Sequence, residues 1–255
     1  MTLHSVLKGR TWVKQLVLIT IALSQYSSCG DDNADRPEVL KKLRTLGVEQ
    51  NPINAKPGDS VNLTFYLAGP QGLTIAPSVE LDTVSRYGVA QPVTPIDAQP
   101  TETAVGPLSL YAYRTTLSVP TDNALVAASL AKQGYARLRY KVRFSAGSEY
   151  EAVVGDTVVY PPTAPQLAWK SPEIAISKPV DAAASGTIDL EGAISSEGSE
   201  SYRVSWFVSD GKVKNRRAKI TSWSDAAKGS QTLIMTVRGT KSGAFVLKSQ
   251  SVTLN

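Results

Sequence analysis

Apolar and polar residues alternate in short runs along most of the chain, and turn-forming clusters separate the runs. The clearest run covers residues 136–144. Ala136, Leu138, Tyr140, Val142 and Phe144 fall on one side of it, and Arg137, Arg139, Lys141 and Arg143 on the other. Alternation at a period of two marks a half-buried strand, because successive side chains leave opposite faces of a pleated backbone. Residues 61–67 repeat the pattern, with Val61, Leu63, Phe65 and Leu67 on one face between two Gly/Pro turns. Residues 108–119 form a further predicted strand, stopped by Pro120, and 150–154 follow the 145–148 turn as the partner of the basic strand. Nearer the C-terminus, strands are predicted at 174–176, 186–192, 202–208 and 232–237, with a last one ending at Leu254. Val204, Trp206 and Val208 share one face, which places the indole between two sheets. Ser209-Asp210-Gly211-Lys212 reads as a hairpin turn.

Three segments break the pattern. Residues 121–134 open on good capping residues, continue through alanine and leucine, and close at Gly134, which predicts a short helix between sheets. Residues 39–50 mix periods: Leu40, Leu43 and Leu46 suit a helix, while Leu46 and Val48 suit a strand. Because sandwich domains usually open on an edge strand, this segment is expected to be mostly strand. Residues 84–107 alternate weakly among several prolines and are expected to form long loops with one poor edge strand.

Many short strands rich in threonine, serine and valine predict an all-β chain of two tandem β-sandwiches. Tyr160-Pro161-Pro162-Thr163-Ala164-Pro165 places three prolines where none can feed a sheet ladder. The predicted domains are therefore 39–161, with its short helix near 121–134, and 162–255.

The first residues follow a different logic. Lys8, Arg10 and Lys14 precede an apolar run at 16–23, and small residues lead to Cys29, the one cysteine. Basic, apolar, then small is the layout of a secretory signal, and the run is shorter than the roughly 20 residues of a spanning helix. Residues 1–28 are read as a cleaved signal peptide and 29–38, with Asp31, Asp32 and Asp35, as a flexible tether.

Removing that signal changes the chemistry. Loss of three cations lowers the net charge from +5 to +2, so the electrostatic motive for nucleic acid is lost. The single histidine, His4, also leaves. Without imidazole, Ser–His–Asp and Cys–His systems are excluded, and so are zinc sites built on His and Cys. Carboxylate pairs and a Ser–Lys dyad remain conceivable, but nothing singles one out. The expectation is a chain with no catalytic residue, no cofactor and no metal site. The basic face of Arg137, Arg139, Lys141 and Arg143 has two readings: cross-strand pairing with Glu149, Glu151 and their neighbours, or a surface for an anionic polymer. Trp169, Trp223, Tyr87 and Tyr111 are the aromatics to watch for glycan stacking.

Two resemblances add to this. Ser27-Ser28-Cys29-Gly30 resembles the lipobox of bacterial lipoproteins, although Tyr26 stands where leucine is usual. The resemblance implies acylation of Cys29, a lipid anchor (palmitate among the acyl groups), and the outer membrane, since Gly30 rather than Asp follows the cysteine. Residues 206–211, Trp-Phe-Val-Ser-Asp-Gly, look like the Trp-x-Phe-Gly-Asp-Gly region of PKD-type immunoglobulin-like domains, and residues 237–243 are similar to their later turn. The implied fold is an immunoglobulin-like sandwich. The expected function is a non-enzymatic envelope lipoprotein, anchored through Cys29, that contacts an envelope protein or polymer. The alternative is a surface adhesin or glycan-binding lipoprotein.

Overall fold

The computed structural model describes residues 36–80, 100–164, 171–179, 182–183, 186–195, 200–240 and 243–255. The signal, Cys29 and the tether up to Asp35 lie outside the described residues, as do Tyr87 and Trp169. At the tether's end, the Glu38 carbonyl accepts from the Val208 N–H at 2.8 Å. Pro37–Asn255 form one compact unit. Among its described residues it is all-β apart from one helix.

The first half contains β1 (Arg44–Asn51), β2 (Ser60–Pro70), β3 (Ala76–Glu80), β4 (Thr101–Val105), β5 (Leu108–Ser118), α1 (Ala124–Gln133), β6 (Ala136–Ala146) and β7 (Glu149–Val159). The second contains β8 (Glu173–Lys178), β9 (Ala182–Ala183), β10 (Ile188–Ser195), β11 (Tyr202–Val208), β12 (Lys212–Val213), β13 (Ile220–Ser224), β14 (Gly229–Gly239) and β15 (Phe245–Leu254). Among the described residues these strands form four sheets, ordered β1-β2-β5-β4, β3-β6-β7, β11-β14-β15-β9 and β12-β13-β10-β8.

Each half is a sandwich, and its alternation shows why. Val61, Leu63, Phe65 and Leu67 of β2 meet Leu138, Tyr140, Val142 and Phe144 of β6 in one core, where Phe65 sits edge-on to Tyr140 at 5.9 Å. In the second core, Val204, Trp206 and Val208 of β11 and Leu233, Met235 and Val237 of β14 meet Leu190 and Trp223 from the facing sheet. Both indoles are fully buried and both N–H groups are satisfied: Trp206 donates to the Ala218 carbonyl and Trp223 to that of Asp210, each at 2.8 Å. Burial of a donor is tolerated only with such a partner.

A third apolar cluster joins the sandwiches face to face. Leu46, Ala68 and Leu108, from the outer side of the β1-β2-β5-β4 sheet, and Leu40, from the segment before β1, pack on Phe207, Ile234 and Phe245, from the outer side of the β11-β14-β15-β9 sheet. Tyr66 stacks on Phe245 with centroids 5.6 Å apart. The four sheets are thus four successive layers, and the middle two are covered on both faces. Double coverage explains why Thr232 to Val237 are all buried, in a run that is almost continuously apolar. The Thr232 hydroxyl donates to the Val105 carbonyl, tying the β4–β5 turn to β14.

The mixed period of 39–50 has a physical cause. Val39 pairs with Val208 and packs in the second core, and the Leu40 N–H donates to the Val208 carbonyl at 2.9 Å. The chain then crosses to β1, where a bulge between Thr45 and Gly47 shifts the register. Leu43 and Val48 consequently face the first core, and Leu40 and Leu46 the inter-sandwich cluster. A bulge turns a period of two into an apparent period of three.

α1 begins and ends as its residues dictate. Asn123 Oδ1 accepts from the N–H groups of Leu125 and Val126, and Gly134 closes the helix at φ 75°, a conformation that favours glycine. Asn123→Ala is expected to cost about 1 kcal/mol in urea denaturation, with no change in the sheets by circular dichroism. Among the described residues no helix is long and apolar enough to cross a membrane.

Two details differ from the sequence pattern. The Ser209–Lys212 turn is not a hairpin within one sheet: β11 pairs with β14, whereas β12 pairs with β13, so the turn carries the chain from one layer to the other. β3 carries Pro77 and gives no alternation signal, yet it forms an edge strand paired with β6. Proline is accepted at an edge, where its missing N–H removes nothing from the ladder.

Candidate functional site

β6 presents its cations on the outer face of the β3-β6-β7 sheet, because the other face supplies the first core. Opposite them on β7 stand Val158, Asp156, Val154 and Ala152, in register with Arg137, Arg139, Lys141 and Arg143. The β7 acid on this face is Asp156, whose Oδ1 accepts from Arg139 Nε at 3.2 Å. On the other side of β6, Glu80 of β3 stands in register with Lys141. Glu151 stands opposite Phe144 and pairs with Arg44 of β1 at 3.0 Å, while Glu149 stands opposite Ala146. Pairing with β7 is thus seen for Arg139, through Asp156 rather than through the Glu149 and Glu151 expected from the sequence. Two cations also lie against aromatic rings: the Arg143 guanidinium is 4.3 Å from the Tyr150 centroid, and that of Arg137 is 5.5 Å from Tyr135. Tyr150 and Val154 are more than half exposed, at 58% and 57%, so the outer face of this ribbon is cationic with apolar patches beside the charges.

Arg137 also belongs to a second feature. A cleft of about 450 Å³ lies where the open edge of β7 meets the second sandwich. Its walls include Arg137, Tyr140 and Asp156 from the first sandwich, and Arg203, Arg238 and Thr240 from the second. Arg203 and Arg238 stand directly opposite each other on β11 and β14. They occupy the same face as Phe207 and Ile234, at the end where the apolar contact between the sandwiches stops. Arg238 is held by the Phe245 ring, 5.8 Å from its guanidinium, and by the Val48 carbonyl at 3.5 Å. Burial pushes the Tyr140 phenol up to about 12, with Arg238 pulling the other way and Asp156 adding to the rise. Tyr140 is therefore a neutral hydroxyl in this wall at physiological pH.

The aromatics singled out for glycan stacking divide. Trp223 and Tyr111 are buried in the two cores and offer no face to solvent; Trp169 and Tyr87 lie outside the described residues. Asp210 Oδ2 accepts from the Ala227 N–H at 2.9 Å and serves its turn. Among the described residues no cluster of three or more His, Cys, Asp or Glu is arranged to hold a metal. Arg203 and Arg238 were not legible as site residues. Each looks like an ordinary outward cation on its own strand, and only the docking of the sandwiches brings Arg137 to them.

No protein-family model matches the chain, and no curated protein sequence matches it. Solved structures similar to it include the fibronectin(III)-like modules of Clostridium thermocellum CbhA, at 16% identity over 82% of this chain and 94% of that one, TM-score 0.29. The D0–D1 domain of intimin is similar at 11% identity over 82% and 98%, TM-score 0.25. Drosophila N-cadherin EC1-3 is similar at 12% identity over 84% and 67%, TM-score 0.28. The architecture of this chain, read from its own sheets and cores, is all-β with two tandem β-sandwiches.

Proposed function

We propose that the chain is a non-enzymatic lipoprotein of the cell envelope, anchored through Cys29, whose two sandwiches present a cationic surface to an envelope partner. The observation that carries the interaction role is the outer face of β6, with its four cations beside exposed Tyr150 and Val154. The apolar docking of the sandwiches supports a scaffold, since a surface shared by two packed layers keeps its geometry when loaded. The anchor is supported by the Ser27-Ser28-Cys29 motif and the signal layout before it. Seven residues, or eight chain steps, separate Cys29 from Pro37, a reach of at most about 29 Å, so the tether keeps the sandwiches near the bilayer. Acyl chains in combination hold a protein firmly where a single one is marginal.

Cell fractionation tests the anchor. Wild type should sediment with outer membranes, and Cys29→Ala should be lost from them. Retention of Cys29→Ala in the membrane fraction would remove the lipid from this reading. Protease treatment of sealed cells then separates a surface role, where the chain is cut, from a periplasmic one, where it is protected.

A further inference from the structure

We propose that the cleft between the sandwiches is a binding site for a phosphoryl oxyanion, held by Arg203 and Arg238 on one wall and Arg137 on the other. The inference deepens the proposed interaction role by naming the chemistry of the partner, and it rests on that reading only for its biological setting.

The first argument is repulsion built into the ladder. Directly paired residues of an antiparallel sheet hold their Cβ atoms about 4.5–5.5 Å apart, and like charges at that distance destabilise the pair. Arg203 and Arg238 are such a pair. Among the described residues neither is in an ion pair, and Arg137, a third cation, lines the same cleft. The carboxylate in the wall, Asp156, is engaged by Arg139. A bound anion relieves a repulsion that the protein's own acids leave in place.

Geometry supplies the second argument. Arg238 is oriented by Phe245 and by the Val48 carbonyl, and the Arg137 guanidinium lies against Tyr135. Oriented guanidinium forks lose less freedom on binding than free ones and match phosphate and carboxylate oxygens in pairs. A planar carboxylate is satisfied by a single fork. A tetrahedral phosphoryl group offers three terminal oxygens and can take donors from both walls. The volume, about 450 Å³, lies in the range of small-molecule sites and admits a phosphorylated unit larger than phosphate itself. Arg137 also heads the β6 row, where Arg139, Lys141 and Arg143 follow at two-residue steps of roughly 6.7 Å. Free phosphate and one group of a phosphate polymer continuing along that row both offer this oxyanion.

Titration of the full chain with inorganic phosphate, and separately with long-chain polyphosphate, at ionic strength matched with chloride, tests the proposal. Saturable binding is expected, weakened at least ten-fold by Arg203→Ala and unchanged by Arg217→Ala, which removes an equal charge from an exposed turn. Phosphate should raise the melting temperature of wild type and not that of Arg203→Ala. Without added anion, Arg203→Ala should melt no lower than wild type, because it removes a like-charge contact. Tighter binding of polyphosphate per phosphate, lost in Arg203→Ala, assigns the polymer as source, and equal binding assigns the free anion. Absence of saturable binding to both probes overturns the proposal, as does equal weakening by Arg217→Ala. None of these outcomes depends on Cys29, so failure here is distinct from failure of the anchor.

Discussion

Trp206→Ala is expected to destabilise the chain by about 3–5 kcal/mol, the cost typical of deleting a large aromatic from a packed core. The indole is fully buried between β11 and the facing sheet, touching the cluster of Val204, Val208, Leu233, Met235 and Trp223. Its burial alone removes about 150–250 Å² from water, on the order of 4–6 kcal/mol as an upper bound. Alanine also leaves the Ala218 carbonyl without its donor. The position has no covalent reinforcement, because the chain's one cysteine is Cys29 and no disulfide can form within it. Denaturant titration followed by tryptophan-independent circular dichroism is the measurement. A midpoint within about 0.5 kcal/mol of wild type would contradict the assignment of Trp206 to the core.

Gly47→Val is expected to force the two sandwiches apart. A Cβ at Gly47 would lie 2.1–2.6 Å from three ring atoms of Phe245, well inside van der Waals contact. The ring has little room to yield, since Phe245 is 3% exposed and stacks on Tyr66. Overpacking of this kind costs about 1–3 kcal/mol. The more telling readout is cooperativity: differential scanning calorimetry of wild type should show one transition and the variant two, because the middle layers lose the contact that couples them. Phe245→Ala in the Gly47→Val background should recover part of the loss, giving a coupling energy across the interface. If the two substitutions instead add independently, Gly47 is not the seat of Phe245.

Much of the fold was legible before any coordinates. The alternation of Val61 to Leu67 and of Ala136 to Phe144 predicted β2 and β6 with the correct faces inward, because side-chain direction in a strand depends only on residue parity. Asn123 and Gly134 announced α1, since capping is a local matter of one side chain and one backbone conformation. Where the pattern was weak, distant contacts had taken over. Residues 39–50 read ambiguously because a bulge and three different cores divide their leucines and valines. β3 gave no signal because its residues around Pro77 do not alternate, and only its pairing with β6 makes it a strand. The Ser209–Lys212 turn was visible as a turn, but a turn's residues do not say which sheet receives the next strand.

The residues alone determined two tandem sandwiches, their inward faces, the capped helix, and a chemistry without imidazole once the first residues are removed. They also carried the lipobox-like motif at Cys29 and the cations of β6. Only the tertiary structure decided that the sandwiches stack sheet upon sheet, and hence that Arg203 and Arg238 share a cleft with Arg137. The reason is physical. Periodicity reports which face of a strand avoids water, but a face that avoids water by meeting a second domain reads the same as one that meets its own core.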